Sequence, residues 1–365
     1  MKIKDITSYL ESVAPLAYQE SYDNSGLIVG NPDDEVNKVL ISLDCTEEVV
    51  DEAIRKGCNL IISHHPIVFK GLKRFNNRTY VERTVIKAIK NDIALYAIHT
   101  NLDNVLGGVN TKIAEKLGLL NAAILSPKSG IMKKLAVYVP RANVEDVRQA
   151  LFEAGAGSIG DYDQCSYNTA GYGTFRPLAG ANPAIGEVGT QERVEETKIE
   201  VVFPQHIERK VVVSMLAAHP YEEVAYNIVT LDNKLQYVGA GVIGNLETAV
   251  DAQDFLAYLK QKLNLKVIRH TKLLNKKISR VAVCGGAGGF LLGEAKRSGA
   301  DIFITADYKY HEFFDAEDDI IIADIGHFES EQFTQELLLD IIRKKFVNFA
   351  VLLTEIDTNP IKYYS

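Results

Sequence analysis

The sequence predicts an α/β core interrupted by a separate α+β module of β-α-β-β-α-β order, the ferredoxin-like arrangement. Apolar runs of strand length alternate with amphipathic helical stretches on both flanks of the chain, and that order changes between residues 127 and 232. Histidines and carboxylates also gather directly after three of the apolar runs. At 365 residues the chain is long enough for two cores. Its 47% hydrophobic and 24% charged content is that of a globular protein. With neither a membrane-length apolar run nor a signal-peptide pattern, a soluble, cytoplasmic protein without a membrane partner is expected. The 40 basic and 48 acidic residues give a net charge of -8, which argues against a broad nucleic-acid footprint while leaving room for a local basic patch. Cys45, Cys58, Cys165 and Cys284 are far apart and form no C-x-x-C pair, so neither a disulfide framework nor a thiolate zinc site is expected.

On the N-terminal flank, Ile3, Ile6, Leu10 and Val13 repeat at helical spacing, and Pro15 ends the pattern. The polar stretch Ser21-Tyr22-Asp23-Asn24-Ser25 leads into a short strand closed by Gly30 and reads as a hairpin entry rather than a site. Residues 39–43 form a buried strand, and Thr46 caps the helix that follows to about Arg55. The next apolar run, Cys58 to Ile62, ends in Ser63-His64-His65-Pro66, where the proline stops the strand. Two β-then-α steps in succession indicate parallel pairing, and in such folds the carboxyl ends of strands open into the ligand crevice. Neighbouring strand residues face opposite ways, so His64 and His65 reach one point only if the backbone turns, or else two points a few ångströms apart. An amphipathic helix at 80–90 and a strand at 93–98 then lead to His99-Thr100-Asn101-Leu102-Asp103-Asn104, and a helix follows at 109–118.

The pattern changes at Ser126-Pro127-Lys128-Ser129-Gly130. The module then reads as a strand at 135–139, a helix at 144–154, Gly- and Tyr-rich strand sequence at 165–175, a strand at 197–203, a helix at 207–217 and a strand at 224–230. Its one site-like cluster, His219-Pro220-Tyr221-Glu222-Glu223, reads as a proline-locked loop. From Val238 the α/β order resumes. Residues 239–244 read as a strand with close backbone packing, followed by a helix at 251–263 and a strand at 278–283. Cys284-Gly285-Gly286-Ala287-Gly288-Gly289 is expected to open a helix through Lys296; such a turn can offer N–H groups to an anion, but it lacks the Lys-Ser/Thr of a phosphate loop. A strand at 302–304 precedes Asp307 and His311, and a last strand at 320–323 runs into Asp324-Ile325-Gly326-His327-Phe328-Glu329-Ser330-Glu331 and a helix through Lys345.

Residues four apart share a helical face and residues two apart do not, so His327 acts with Glu331 and not with Glu329. An isolated His-His is ordinarily a loop feature. Here three strand ends together supply His64, His65, Asp103, His327 and Glu331, a nitrogen and oxygen set without sulfur. That set suits zinc, with iron or manganese as alternatives. It is too large for one open catalytic ion and fits two divalent ions per chain with a bridging carboxylate, which implies hydrolytic chemistry.

These residues carry a resemblance. Tyr22 to Gly30, Ser63-His64-His65-Pro66, His99 to Asn104 and Gly326 to Glu331 resemble the motifs of the NIF-three-like dinuclear metal proteins, often labelled homologues of GTP cyclohydrolase I type 2. The resemblance implies a two-lobed α/β core over residues 1–126 and 233–365, a hexameric ring with sites facing an internal cavity, and metal ligands at the five positions named. Residues 127–232, especially His219 to Ala225, resemble the PII- or CutA-like module that some bacterial members insert. Thr305-Ala306-Asp307 departs from the family's Thr-Gly-Asp or Thr-Gly-Glu, which weakens any pocket role for Asp307 and His311. The implied activity is attack of metal-bound hydroxide on C8 of the guanine ring of GTP, with ring opening and loss of formate; His99 is the candidate orienter or acid/base group. No guanine-reading or triphosphate-binding constellation is legible. A different class of function is a non-catalytic, metal-dependent hexameric scaffold that binds a partner protein or nucleic acid.

Overall fold

In the computed structural model, which describes residues 1–364, the apolar runs of the N-terminal flank assemble into one sheet. Strands β1 (Gly26–Val29), β2 (Val39–Ser42), β3 (Leu60–Ser63), β4 (Ala94–Ala97) and the C-terminal β15 (Val351–Leu353) lie in the order β1-β4-β3-β2-β15. All are parallel to their neighbours except β1, which runs antiparallel to β4 with Gly26 opposite Ala97. β2, β3 and β4 are buried throughout, as their continuous apolar sequence requires of strands covered on both faces. Helices α1 (Ile3–Val13), α2 (Glu47–Lys56) and α3 (Tyr80–Lys90) belong to the same region. Val49, Val50 and Ala53 of α2 pack with Leu40, Ile61 and Leu95, and each large aliphatic side chain so buried contributes roughly 1.5–3 kcal/mol. Thr46 caps α2 by accepting from the Val49 N–H at 3.4 Å.

A second sheet has the order β11-β14-β13-β12-β10-β5. It contains β5 (Leu120–Pro127), β10 (Gly239–Val250), β11 (Arg269–His270), β12 (Ile278–Ala287), β13 (Ile302–Ala306) and β14 (Ile321–Asp324). β12, β13 and β14 are parallel, while β5, β10 and β11 pair antiparallel. The short α4 (Thr100–Asp103) and α5 (Val109–Lys116) follow β4, and α8 (Ala252–Lys262), α9 (Leu292–Arg297), α10 (His327–Glu331) and α11 (Thr334–Lys345) complete the flank. Both sheets belong to one compact unit, Met1–Pro127 with Gln236–Ser365.

Three expectations change. Residues 284–287 do not leave the sheet but continue β12, and helix α9 starts only at Leu292. The stretch before Gly30 is not a hairpin entry, because β1 pairs with β4, far away in sequence. The final helix is two helices, α10 and α11, broken at Gln332 and Phe333. Ser126 and Pro127 belong to β5, with Pro127 opposite Gly239 on β10.

The remaining residues, Lys128–Leu235, form a second compact unit. Its strands β6 (Met132–Pro140), β7 (Tyr167–Phe175), β8 (Glu192–Pro204) and β9 (Tyr226–Leu231) form an antiparallel sheet ordered β7-β8-β6-β9. Helices α6 (Val144–Glu153) and α7 (Glu208–Ala218) bury Val147, Leu151, Val211 and Met215 against Leu135, Val137, Ile199 and Val201. His219 serves this unit's own backbone: its Nε2 lies 3.0 Å from the Tyr138 carbonyl, and its Nδ1 accepts from the Tyr221 N–H at 3.1 Å. Among the described residues, no helix is long and apolar enough to cross a membrane.

Candidate metal centre

The ends of β3, β4 and β14 bring His64, His65, Asp103, His327 and Glu331 together. Glu331 Oε2 lies 2.9 Å from His65 Nε2, 3.1 Å from His327 Nε2 and 3.9 Å from His64 Nε2. His64 Nε2 is also 3.5 Å from Asp103 Oδ1. One turn of α10 places His327 and Glu331 on one face, as their spacing requires. Glu329 points elsewhere and accepts from Asn359 Nδ2 at 3.2 Å. Among the described residues, two sets have ligand atoms within 4.8 Å of one another: His64, His65 and His99, and His65, His327 and Glu331. His65 is common to both sets.

Every imidazole is held through the nitrogen that faces away from the centre. His64 Nδ1–H donates to the Ile98 carbonyl at 2.8 Å. His65 Nδ1 meets Asp44 Oδ1 at 2.7 Å, His327 Nδ1 meets Asp307 Oδ2 at 2.7 Å and His99 Nδ1 meets Asp23 Oδ1 at 2.8 Å. A proton on each Nδ1 leaves the Nε2 lone pairs converging on one space, the arrangement that orients histidines for metal. Asp23 is itself held, accepting from Ser25 Oγ at 3.0 Å, from the Thr100 N–H at 3.0 Å and from the Thr100 hydroxyl.

The electrostatics suit a cation. Burial lowers the His64 pKa to about 3, so its ring is neutral. With its Nδ1–H given to a carbonyl, His64 Nε2 is an acceptor without a partner, and the facing Asp103 Oδ1 is a second buried, unpartnered acceptor. Two such acceptors cost free energy unless a cation, or a proton on Asp103, lies between them. Burial and the charge of Glu331 push the Asp103 carboxyl well above its usual range. Burial also opposes charge on the other groups, yet Asp44 and Glu331 raise His65 to about 10, and Glu331 and Asp307 raise His327 to about 9. The same histidines hold Glu331 well below its usual range in spite of burial. The acids that hold a proton on His65 and His327 favour a cation there, and that proton must leave before either imidazole can hold a metal ion. The sulfur groups stay out of it: burial pushes Cys45 up to about 12 and raises Cys284 as well, so both are neutral thiols.

Two glycines make room for this packing. Gly286 has φ +61°, and a Cβ there would stand 2.5 Å from Glu331 Oε1. Gly326 has φ +90°, and a Cβ there would stand 2.3 Å from Glu329 Oε2. Three N–H groups of the glycine run are used internally and are not offered to an anion. Gly285 donates to Asn110 Oδ1 at 2.8 Å, Gly286 to Ser330 Oγ at 2.9 Å and Gly288 to Thr305 Oγ1 at 3.0 Å.

Asp23, Asp44 and Asp307 were not assigned to the site from sequence. Asp307 does reach His327 despite the Ala306 departure, and it does so with φ +59°. His311 packs with Tyr310 and Phe314 instead. The signal for all three carboxylates was an acid one to four residues beyond a strand end or just before a strand. Only the strand order shows which histidine each one meets.

The centre opens into a cavity of about 1270 Å³. A family model described as Duf34/NIF3 (NGG1p interacting factor 3) matches residues 1–360. A Bacillus subtilis (strain 168) protein named "GTP cyclohydrolase 1 type 2 homolog" is 40% identical, over 99% of this chain and 98% of its own. A Staphylococcus aureus (strain MSSA476) protein of the same name is 37% identical over the full length of both. A solved structure of a Bacillus cereus protein related to NIF3 superposes with a TM-score of 0.85 at 41% identity, covering 100% of this chain and 99% of that one.

Proposed function

The chain belongs to the Duf34/NIF3 family, and from that premise we propose that it is a dinuclear metal-dependent hydrolase of the cyclohydrolase type. The reading is carried by one observation: His64 Nε2 and Asp103 Oδ1, both buried and without partners, face each other at 3.5 Å. His64 and Asp103 would hold one ion, His65 and His327 the other, with Glu331 between them. Zinc fits the donor set, and iron and manganese are the alternatives. Two divalent cations, when bound, supply Lewis acidity that makes water nucleophilic near neutral pH and polarises an electrophile.

The protein groups then orient the reaction and move protons. Asp23 fixes His99 with Nδ1 protonated, so His99 Nε2 is free to accept a proton from attacking water and return it to a departing nitrogen. Asp44 and Asp307 keep His65 and His327 aimed at the centre. The names of the relatives suggest the imidazole ring of guanine as the reacting group: one water opens the ring at C8 to a formamide, and a second water hydrolyses the formamide to formate and a free amine.

The second unit supports the reading of an inserted ferredoxin-like domain of PII or CutA type, since its β-α-β-β-α-β chain order folds into a β7-β8-β6-β9 sheet. A homohexameric ring is the assembly we propose for the whole chain. The test of function is formate release by metal-loaded protein from guanine compounds. Saturable release that is lost in His65→Ala and Glu331→Ala supports the hydrolase. A fully metal-loaded protein that releases no formate and binds no guanine compound supports a metal-dependent scaffold instead.

A further inference from the structure

The walls of the cavity outside the metal centre carry two features that the ligands do not explain. The first is aromatic. Tyr22, Phe69 and Phe290 are 67%, 48% and 73% exposed, yet all three line the same cavity. The Phe69 ring stands edge-on to His99, with centroids 5.5 Å apart. Aromatic faces left wet beside a polar centre are platforms on which a planar ring can stack.

The second feature is charge. Among the described side chains lining the cavity, Lys70 is the one lysine or arginine, against Glu20, Asp44, Glu82, Asp103 and Glu331. The charge of two divalent ions would already face Asp103 and Glu331, with Asp23, Asp44 and Asp307 behind the imidazoles. Polyphosphates are held by clustered Arg and Lys or by free backbone N–H nests. The turn most like such a nest has spent its Gly285, Gly286 and Gly288 N–H groups on Asn110, Ser330 and Thr305.

We infer that the substrate is an uncharged planar nitrogen heterocycle, a nucleobase or its nucleoside, and not a nucleoside triphosphate. The inference rests on the hydrolase reading and narrows it. The ring stacks against Phe69 and Phe290 with one edge toward His99. Away from the two ions, whose charge Asp103, Glu331 and the aspartates behind the imidazoles already face, a triphosphate would find acidic walls and one lysine.

The test is equilibrium binding of guanosine, adenosine and GTP to the full chain carrying two zinc ions, with free zinc buffered so that GTP does not strip the site. Expected is tighter binding of at least one nucleoside than of GTP, by about tenfold or more. Phe69→Ala and Phe290→Ala should each weaken that nucleoside about tenfold at unchanged zinc content, and Phe69→Tyr should recover most of the loss. GTP binding as tight as the nucleosides overturns the inference, as does unchanged nucleoside affinity in both alanine variants. Absence of nucleoside binding to protein that carries both ions also overturns it, without touching the metal assignment. Failure to take up two ions instead sinks the hydrolase reading, and the inference with it.

Discussion

Each imidazole at the centre is aimed by a partner on its far side, and that makes Asp44 and Asp307 as consequential as the ligands they hold. Asp44→Asn or Asp307→Asn should weaken metal binding about 10- to 100-fold, measured by competition with a chelator, with no loss of folded protein. Glu329→Ala, two residues from His327 but turned toward Asn359, should keep the full metal content of the parent. The pairing of His327 with Glu331 was legible in the sequence because helical spacing is local. The pairings of Asp44 with His65 and of Asp23 with His99 were not, since each depends on which strands are neighbours. Asp23 is harder still to read from sequence, because an acid in Tyr22-Asp23-Asn24-Ser25 suits an ordinary turn equally well.

Among the elements, β12 and the C-terminal strand β15 most needed the structure. Apolar periodicity located the start of β12 but not its continuation through Gly285 and Gly286, because those glycines read as a turn. In the fold they are where β12 passes close to Glu331. A methyl group at Gly286 meets Glu331 Oε1 at 2.5 Å on a backbone of φ +61°, so Gly286→Ala should destabilise the protein by about 1 kcal/mol or more and lower its metal content, read by thermal unfolding and metal analysis. β15 is too short for periodicity to show. It is fastened by Glu52 of α2, which accepts from the Glu355 N–H at 3.0 Å and from the Thr354 hydroxyl and pairs with Lys56 at 2.7 Å. Burial alone would raise the Glu52 pKa, but Lys56 and Thr354 outweigh it and hold the carboxyl below its usual range. The stabilisation is therefore present above the usual glutamate range and is lost as pH falls through the lowered folded value. Glu52→Gln should cost about 1.5–3 kcal/mol at neutral pH, and the gap from the parent should close in acid, measured by denaturant unfolding across pH.

For the whole molecule, the chain leaves and re-enters the first unit on paired strands, with Pro127 of β5 opposite Gly239 of β10. A short Gly/Ser linker in place of residues 128–235 is predicted to span that gap without disturbing either sheet of the first unit. The excised chain should stay soluble and retain the metal content of the parent; insoluble or metal-free product would count against an independent insert. The α/β order of the flanks and the order of the module were readable because alternation and helical spacing are local. How the strands of the flanks divide into two sheets was not, because β5 and β15 carry weak patterns and pair with strands distant in sequence. The central claim is that five side chains from three strand ends hold two ions. Its most direct test is metal per chain in purified, reloaded protein, for the parent and for His64→Ala, Asp103→Ala and Glu331→Ala. The account predicts two ions in the parent, about one when His64 or Asp103 is removed, and fewer than two with weakened retention when Glu331 is removed. A stoichiometry unchanged across all three variants would contradict it.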